Sequence, residues 1–285
     1  MLEQESRLRP LASGGLVHVE GRPDGAAVLL LHGVGGGAWS WRAQRSALAA
    51  DFRLFAWDAR GHGSAPRVSD AGLADYYVDA KEALALAFEA SGRPVYVAGH
   101  SMGGLIAIAL ACDRPESVKG LFLVDPVYSD GQSGVYGHFA PGMGRIARWM
   151  CEPLLRSFER DGTMSQAISR WLFEHAFENR DRMEAAWPDQ RSQVPVEYPR
   201  MLRESFDKPI GFELRDFAGE LTAPTYLLDV FRPGGRSRFP QLLSRLQERL
   251  GPQFTHESVA GGHYLQLDRP DEVNERLRRF VVANG

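Results

Sequence analysis

Short apolar runs alternate along this chain with segments of helical periodicity, and few architectures accommodate such an alternation. We predict strands at six runs: VLLLHG (28–33), RLFAWD (53–58), PVYVAG (94–99), GLFLVD (120–125), PTYLLDV (224–230) and FTHESVAG (254–261). Apolar residues at three- and four-residue spacing predict four helices, WSWRAQRSALAA, DYYVDAKEALALAFEA, MGGLIAIALACD and PDEVNERLRRFVVA. The pattern is typical of a mostly parallel sheet covered by helices on both faces, so we predict an α/β fold.

Two stretches depart from this alternation. LVHVEGRPDG (16–25) alternates apolar and polar residues and ends in a Pro-Asp-Gly turn, which predicts an antiparallel hairpin onto the edge of the sheet. Residues 128–215 contain no strand run, but amphipathic pieces are separated there by Gly and Pro. We therefore predict one α/β core, formed by residues 1–127 and 216–285, that is interrupted by a helical insertion.

The composition is that of a soluble globule. The chain has 285 residues, with 33 Lys and Arg against 36 Asp and Glu, a formal charge of −3, and it is 44% hydrophobic. These values argue against a nucleic-acid-binding protein and against a disordered chain. The two cysteines, Cys112 and Cys151, belong to no CxxC or Cys/His cluster, so we expect neither a disulfide framework nor a zinc site.

The N-terminal residues, MLEQESRLRP, are charged and no apolar stretch follows them. We therefore expect neither a secretory signal nor a membrane anchor, which favours a cytoplasmic protein. We expect a small-molecule substrate, with no metal, no cofactor and no nucleic-acid or membrane partner. The sequence does not distinguish a monomer from a homo-oligomer.

The strongest chemical signal is the G-x-S-x-G motif GHSMG (99–103). Such motifs recur by chance, but this one follows a predicted strand and precedes an apolar helix. A turn from strand to helix strains the serine backbone, and glycines two residues to either side remove Cβ atoms that would clash. The helix N-terminus favours negative charge developing near the hydroxyl. We predict Ser101 as the nucleophile, with His100 lining the turn.

A glycine-rich loop, LHGVGGG (31–37), follows the first strand of the predicted core. Its glycines allow the backbone to turn sharply and to direct N–H groups into one space, so the N–H groups of Val34 and Met102 are candidates for an oxyanion hole. A phosphate-binding loop is the alternative. It is disfavoured because the G-K-[ST] ending and the G-x-G-x-x-G spacing with an acidic partner are both missing. We expect His32 to tie the loop by side-chain hydrogen bonds.

His263 is the candidate general base. It follows two glycines after the last predicted strand and precedes the C-terminal helix, a loop position from which an imidazole can reach a serine. The remaining histidines lie in the hairpin, in an RGHG turn, in the insertion and inside the last strand. Surface or packing roles are simpler for them: His18, His62, His138, His175 and His256.

The segments LLHGVGGG, WDARGHG, GHSMGG and AGGHYLQLDRPDEV resemble, in order and relative position, the landmarks of the α/β-hydrolase fold. The resemblance covers nearly the whole chain. It implies Ser101 as nucleophile, His263 as base, and Val34 and Met102 as oxyanion donors. It also implies that the insertion, residues 128–215, forms a cap over the pocket.

The triad acid departs from the common pattern of this family. Relatives commonly carry it after the strand that reads here PTYLLDV, but this chain continues with FRPGGR and offers no carboxylate there. A subset resembling haloalkane dehalogenases, some lactone hydrolases and cofactor-free ring-cleaving dioxygenases keeps the acid at the position of Asp125, which we predict as the acid. The other interpretation is that Asp125 only caps its strand. Asp229 is the alternative acid, but its side chain is expected to leave the sheet face and to need a structural partner.

These residues predict a serine hydrolase of a small, apolar or aromatic ester or lactone, acting through an acyl-enzyme. Substrate contacts are expected from His32, Gly33, His100 and Trp171, although packing is the favoured role of most cap aromatics. Haloalkane dehalogenases and epoxide hydrolases are disfavoured because they carry Asp at the position of Ser101. Two alternatives stay open: a cofactor-free dioxygenase or C–C bond hydrolase with the same residues, and a ligand-binding protein without turnover.

Overall fold

The structure is a computed structural model in which residues 7–68, 71–126, 170–171, 173–193, 220–231 and 240–285 are described. Their strands form one sheet: β1 (Arg7–Pro10), β2 (Leu16–Gly21), β3 (Ala26–Leu31), β4 (Phe52–Asp58), β5 (Val95–His100), β6 (Val118–Val124), β7 (Thr225–Phe231) and β8 (Phe254–Ala260). The order across the sheet is β1-β2-β4-β3-β5-β6-β7-β8. Each neighbouring pair in the part β4-β3-β5-β6-β7-β8 of this order is parallel, which confirms the predicted mostly parallel sheet.

The described helices are α1 (Arg42–Leu48), α2 (Leu73–Ser91), α3 (Met102–Asp113), α4 (Arg180–Gln193), α5 (Pro240–Leu250), α6 (Leu265–Asp268) and α7 (Pro270–Ala283). A short 3-10 helix, Ala38–Trp41, precedes α1. All four predicted helices are confirmed, and α3 and α7 begin and end at the predicted residues. Within the described parts of the chain, no helix combines the length and the apolar character needed to cross a bilayer.

The predicted hairpin of residues 16–25 is wrong in its pairing. β2 is antiparallel as expected, but its partners are β1 and β4 rather than β3. β4 returns through α1 and lies between β2 and β3, as the parallel partner of β3. The Pro-Asp-Gly turn reverses the chain locally, whereas strand order depends on where the next strand returns, which a turn does not determine. β1, whose four residues are all exposed, has no counterpart among the predicted strands.

Two apolar layers cover the two faces of the sheet. In β3, Leu29 and Leu31 face the layer that contains α2, α3 and α5, whereas Val28 and Leu30 face the layer that contains α7. The alternation explains why the central strands read as continuous apolar runs. In α3 every residue from Met102 to Ala111 is buried, so this helix is fixed on all sides and provides a rigid support for the residue that precedes it.

Only part of the predicted insertion is described, and it contains α4. Within it, Phe173 and Met183 are buried in an apolar cluster with Trp39, Tyr264 and Leu267 of the core. The other residues of the predicted cap, and residues 232–236 of FRPGGR, lie outside the described residues. The predicted domain bounds therefore stay a prediction.

Candidate active site

Ser101 lies in the turn between β5 and α3, at the carboxyl end of a central strand. Its backbone has φ 53° and ψ −118°, a conformation that is rare for residues with a side chain. Gly99 and Gly103 make this turn possible. A Cβ atom on Gly99 would lie 2.3 Å from the carbonyl oxygen of Gly103, and one on Gly103 would lie 2.3 Å from that of Leu31. The predicted need for glycine two residues to either side of the serine is confirmed.

The structure brings Ser101 together with His263 and Asp125. The Nε2 atom of His263 is 3.0 Å from Oγ of Ser101, and its Nδ1 atom is 2.5 Å from Oδ2 of Asp125. Asp125 is fully buried and follows β6 directly. These residues are 162 and 138 positions from His263 in the sequence. They meet because β5, β6 and β8 run in the same direction and their carboxyl ends share one edge of the sheet.

The two contacts of His263 define a direction for proton transfer. When Nδ1–H donates to the Asp125 carboxylate, the lone pair of Nε2 faces the hydroxyl of Ser101. In this tautomer the ring can take the proton of Oγ. The arrangement is chemically competent for nucleophilic attack by Ser101.

The alternative acid, Asp229, contacts a different histidine. Its buried carboxylate lies on β7, and Oδ2 is 3.2 Å from Nε2 of His256 on the neighbouring β8. The side chain thus has a structural partner, as expected of a carboxylate that leaves the sheet face. Of the two aspartates, Asp125 is the one that hydrogen-bonds to Nδ1 of His263.

The glycine-rich loop packs directly on the Ser101 turn. A Cβ atom on Gly33 would lie 2.9 Å from Cβ of Ser101, so glycine is required there. The Gly36 N–H donates to the Gly33 carbonyl at 3.0 Å and closes a turn that contains Val34. Met102 is the first residue of α3, and its N–H has no acceptor within the helix. Both predicted oxyanion donors therefore lie in segments that adjoin Ser101.

His32 holds the glycine-rich loop in place. Its ring is fully buried, Nδ1 is 2.7 Å from the carbonyl oxygen of Gly33, and Nε2 accepts the N–H of Ala59 at 3.1 Å. Burial lowers the pKa of His32, which favours the neutral ring that this pair of bonds requires. The substrate contact expected of His32 is one that its ring nitrogens cannot make, because both are already bonded.

His100 is buried beside His263. Its Nε2–H donates to the carbonyl oxygen of His263 at 2.8 Å, and the two ring centroids are 4.7 Å apart. Burial, together with a smaller effect of the neighbouring His263, lowers the pKa of His100 well below its ordinary value. The ring is therefore neutral with its proton on Nε2. It fixes the backbone of the loop that carries His263.

The family model for the alpha/beta hydrolase family matches residues 28–276 of this chain. The chain belongs to that family. Among curated proteins, one from Variovorax paradoxus named "Putative carbamate hydrolase RutD" is 40% identical over 272 residues, 93% of this chain and 94% of the relative.

Solved structures of the same fold include two enzymes at 20% identity. A thermophilic esterase from Thermogutta terrifontis has a TM-score of 0.73 and 99% coverage of both chains. Est816, described as an N-acyl homoserine lactone degrading enzyme, has a TM-score of 0.68 and covers 96% of this chain, with 100% of its own chain matched. At this identity the likeness shows the fold alone.

Trp171 is not joined to Ser101 or His263 by any contact among the described residues. Its side chain is 56% exposed, and its ring packs on His175 with centroids 4.3 Å apart. The following residues, 173–193, which we call the cap segment, contact the core through Phe173. The Phe173 ring lies 5.2 Å from the ring of Tyr264 between centroids.

Two aromatic residues of this contact have no counterpart in the sequence predictions. Trp39 lies two residues beyond the glycine-rich loop, and Tyr264 directly follows His263. Both are buried in the apolar cluster that receives the cap segment. The sequence signal that could have pointed to them is their position next to two chemical motifs.

Among the described residues, no group of three or more His, Cys, Asp or Glu side chains is arranged to hold a metal ion.

Proposed function

We propose that this protein is a serine hydrolase of small carboxylic esters or lactones, with Ser101 as nucleophile, His263 as general base and Asp125 as its orienting acid. The observation that carries the proposal is the continuous contact from Asp125 through His263 to Ser101, at 2.5 Å and 3.0 Å. Membership of the alpha/beta hydrolase family supports it.

The first half of the reaction forms an acyl-enzyme. Oγ of Ser101 attacks the carbonyl carbon while its proton passes to Nε2 of His263, and the Asp125 carboxylate stabilises the resulting imidazolium. The backbone N–H groups of Val34 and Met102 stabilise the oxyanion. The bond to the leaving alcohol then breaks, and His263 returns the proton to the alcohol oxygen.

The second half consumes one water molecule. Neutral His263 removes a proton from water, the hydroxide oxygen attacks the acyl carbon, and the bond to Oγ breaks with return of the proton to Ser101. The products are a carboxylic acid and an alcohol, or a hydroxy acid from a lactone. No step needs an oxidant or a reductant.

A carbamate is the second candidate substrate. It is favoured by the relative named as a carbamate hydrolase, which is 40% identical to this chain over 93% of its length. The same residues would attack a carbamate carbonyl, because its carbon carries an oxygen leaving group as in an ester. The two candidates differ in the group on the acyl side, which the Ser101 geometry does not select.

The experiment is active-site labelling combined with a substrate panel. We expect a small fluorophosphonate to label the wild-type protein at Ser101, as read by mass spectrometry of the intact protein and of its peptides. Aryl esters, alkyl esters, lactones and aryl carbamates, assayed in parallel, would rank the substrate classes. We expect Ser101→Ala to abolish labelling and to lower ester kcat by about four orders of magnitude or more, because no other group replaces the nucleophile.

Ser244→Ala provides the control, since Ser244 lies on α5, outside the Ser101 turn. It should label and turn over at the wild-type rate. Wild-type protein that resists the phosphonate, or Ser101→Ala that keeps more than about a tenth of the activity, would refute the proposal. Oxygen uptake with an aromatic substrate and no metal would instead support the cofactor-free dioxygenase alternative.

A further inference from the structure

A buried carboxylate joins the His263 loop to the cap segment. Asp268, on α6, is only 6% exposed. Its Oδ2 atom accepts the backbone N–H of Gly262 at 2.9 Å and that of Glu178 at 3.0 Å, while Oδ1 accepts the N–H of Asn179 at 2.9 Å. One side chain thus binds the residue before His263 and two residues of the cap segment.

The two segments also touch directly. A Cβ atom on Gly262 would lie 2.2 Å from the carbonyl oxygen of Ala176 and 2.5 Å from Cα of Phe177, so glycine alone permits this approach. The N–H of Tyr264, on the other side of His263, donates to the same Ala176 carbonyl at 3.2 Å. Backbone contacts with the cap segment therefore flank His263 in the sequence.

Among the described residues, the partners of this carboxylate are backbone N–H groups and not a cation. Its neighbour Arg269 pairs instead with Glu178 at 2.7 Å and with Glu272 at 3.2 Å. Asn179 immediately precedes α4, so the positive end of the helix dipole adds to the attraction of the carboxylate for these N–H groups. An asparagine at this position would replace one acceptor oxygen with an NH2 group. That NH2 group would face a backbone N–H, so two donors would oppose each other, whereas both oxygens of a carboxylate accept.

We infer that Asp268 is a positioning residue: it sets the place of His263 relative to Ser101 by fixing the preceding peptide of Gly262 against the cap segment. This inference rests on the proposed function. It adds that the reactivity of Ser101 depends on the bond from the Gly262 N–H to Asp268, even toward a reagent too small to touch the cap. A misplacement of about 1 Å in a reacting group can lower a rate about a hundredfold.

The test compares Asp268→Asn with wild type by the second-order rate of labelling with a small methyl fluorophosphonate. Labelling needs Ser101 and His263 but no cap contact, so a residue that merely attaches the cap would leave it unchanged. We expect the labelling rate and the kcat for a small acetate ester to fall about tenfold to a hundredfold, with little change in KM. Asp268→Glu, which keeps the carboxylate, should recover part of both rates.

Glu178→Gln is the matched control. It removes a half-exposed ion pair between the same two regions, Glu178 to Arg269, without touching the Gly262 N–H. It should label at the wild-type rate. Circular dichroism and thermal unfolding would establish that each variant is folded, and Asp268→Asn is used rather than Asp268→Ala because it preserves the shape of the side chain.

The outcomes separate the inference from the function on which it rests. A wild-type protein that does not label overturns the proposed function. A labelled wild type with a folded Asp268→Asn that labels equally fast, or that changes only the KM of large substrates, overturns the positioning role alone. Slow labelling of Glu178→Gln to the same extent would also overturn it, because any loosening of the cap would then suffice.

Discussion

Ser101 and Asp125 hold backbone conformations that few residues with side chains adopt. Their φ angles are 53° and 38°, and each follows one of two neighbouring parallel strands, β5 and β6. Such conformations cost about 1–3 kcal/mol each and persist only where the surroundings enforce them. The N–H of Ser101 donates to Val124 at 3.1 Å and that of Asp125 to Leu228 at 2.7 Å. The sheet itself thus holds both residues in the turns that bring their side chains to His263.

Asp125→Asn should separate the two candidate acids. An amide can donate to Nδ1 of His263 and so favours the tautomer that cannot accept the Ser101 proton. We expect kcat for an ester to fall by about four orders of magnitude while the free energy of unfolding in urea changes little. Steady-state kinetics and urea unfolding of the same preparation would measure both quantities.

Asp229→Asn is its control, because Asp229 is equally buried but contacts His256. It should keep a kcat near that of wild type and lower the free energy of unfolding by about 1 kcal/mol, because the neutral amide weakens the polar contact with His256. An active Asp125→Asn beside a folded but inactive Asp229→Asn would assign the acid to β7 instead.

The extent to which the sequence predicts this site differs among its residues. Ser101 and His263 stand in short motifs whose glycines are needed locally, so they are visible without the fold. Asp125 is not visible in that way, because its contact with His263 spans 138 positions and required comparison with a family pattern. The hydrogen bond from His100 to the carbonyl oxygen of His263 cannot be predicted from the sequence, since every residue type offers the same backbone carbonyl as an acceptor.

At the scale of elements, periodicity predicts the buried helices better than it predicts strand pairing. α3 and α7 have the predicted bounds, because apolar spacing and a helix-opening proline are local signals. The pairing of β2 with β4 depends on a connection of 30 residues, 22–51, which includes β3 and α1, and it has no local signal. α5 has no predicted counterpart, although its leucines at helical spacing are buried: Leu242, Leu246 and Leu250.

Phe173→Ala should weaken the attachment of the cap segment to the core. Phe173 is 2% exposed and its ring lies 4.8 Å from that of Phe177 and 5.2 Å from that of Tyr264. Removing a buried phenyl ring lowers the free energy of unfolding by about 3–5 kcal/mol. Here the loss weakens the contact between the cap segment and the core. We expect faster hydrogen exchange across α4, measured by mass spectrometry, with unchanged exchange in α3.

Trp171→Ala removes a larger ring from the same region and is the matched control. Because that ring is 56% exposed, the variant should change the stability by no more than about 0.5 kcal/mol and leave the exchange of α4 as in wild type. Equal protection of α4 in Phe173→Ala and wild type would mean that the aromatic cluster does not hold the cap segment.

At the scale of the whole molecule, three imidazoles that are buried in the described part of the chain link folding to pH. Burial is the largest cause of the lowered pKa of His32, His62 and His100, and it lowers that of His62 to about 3. His32 and His62 lie together, with ring centroids 5.0 Å apart, so charging either ring would also repel the other. The RGHG turn predicts only a surface or packing role for His62, because burial of a turn depends on the elements that later cover it.

The sign of the pH effect follows from these lowered values. In the unfolded chain a histidine binds its proton near pH 6.5, whereas native His62 stays neutral until about pH 3. The unfolded state therefore binds more protons in this window, and stability that is fully present above pH 6.5 is lost as the pH falls. For one such histidine the loss between pH 7 and pH 5 is about 2 kcal/mol. Carboxylates contribute little there, because unfolded Asp and Glu titrate near pH 4.

His62→Gln should make the stability less dependent on pH. The variant removes one of the three buried titrating rings, so its free energy of unfolding in urea should fall less between pH 7 and pH 5 than that of wild type, by about 2 kcal/mol. Its stability at pH 7 will be lower, since the glutamine packs less well against Tyr76, whose ring lies 5.1 Å from that of His62. The comparison therefore uses the difference between the two pH values within each protein. An identical pH dependence in both proteins would mean that native His62 takes up its proton over the same pH range as the unfolded chain. Its burial against His32 and Tyr76 opposes this, because a charged imidazole there would lose its hydration, and the weaker attraction of the Asp58 carboxylate does not offset that loss.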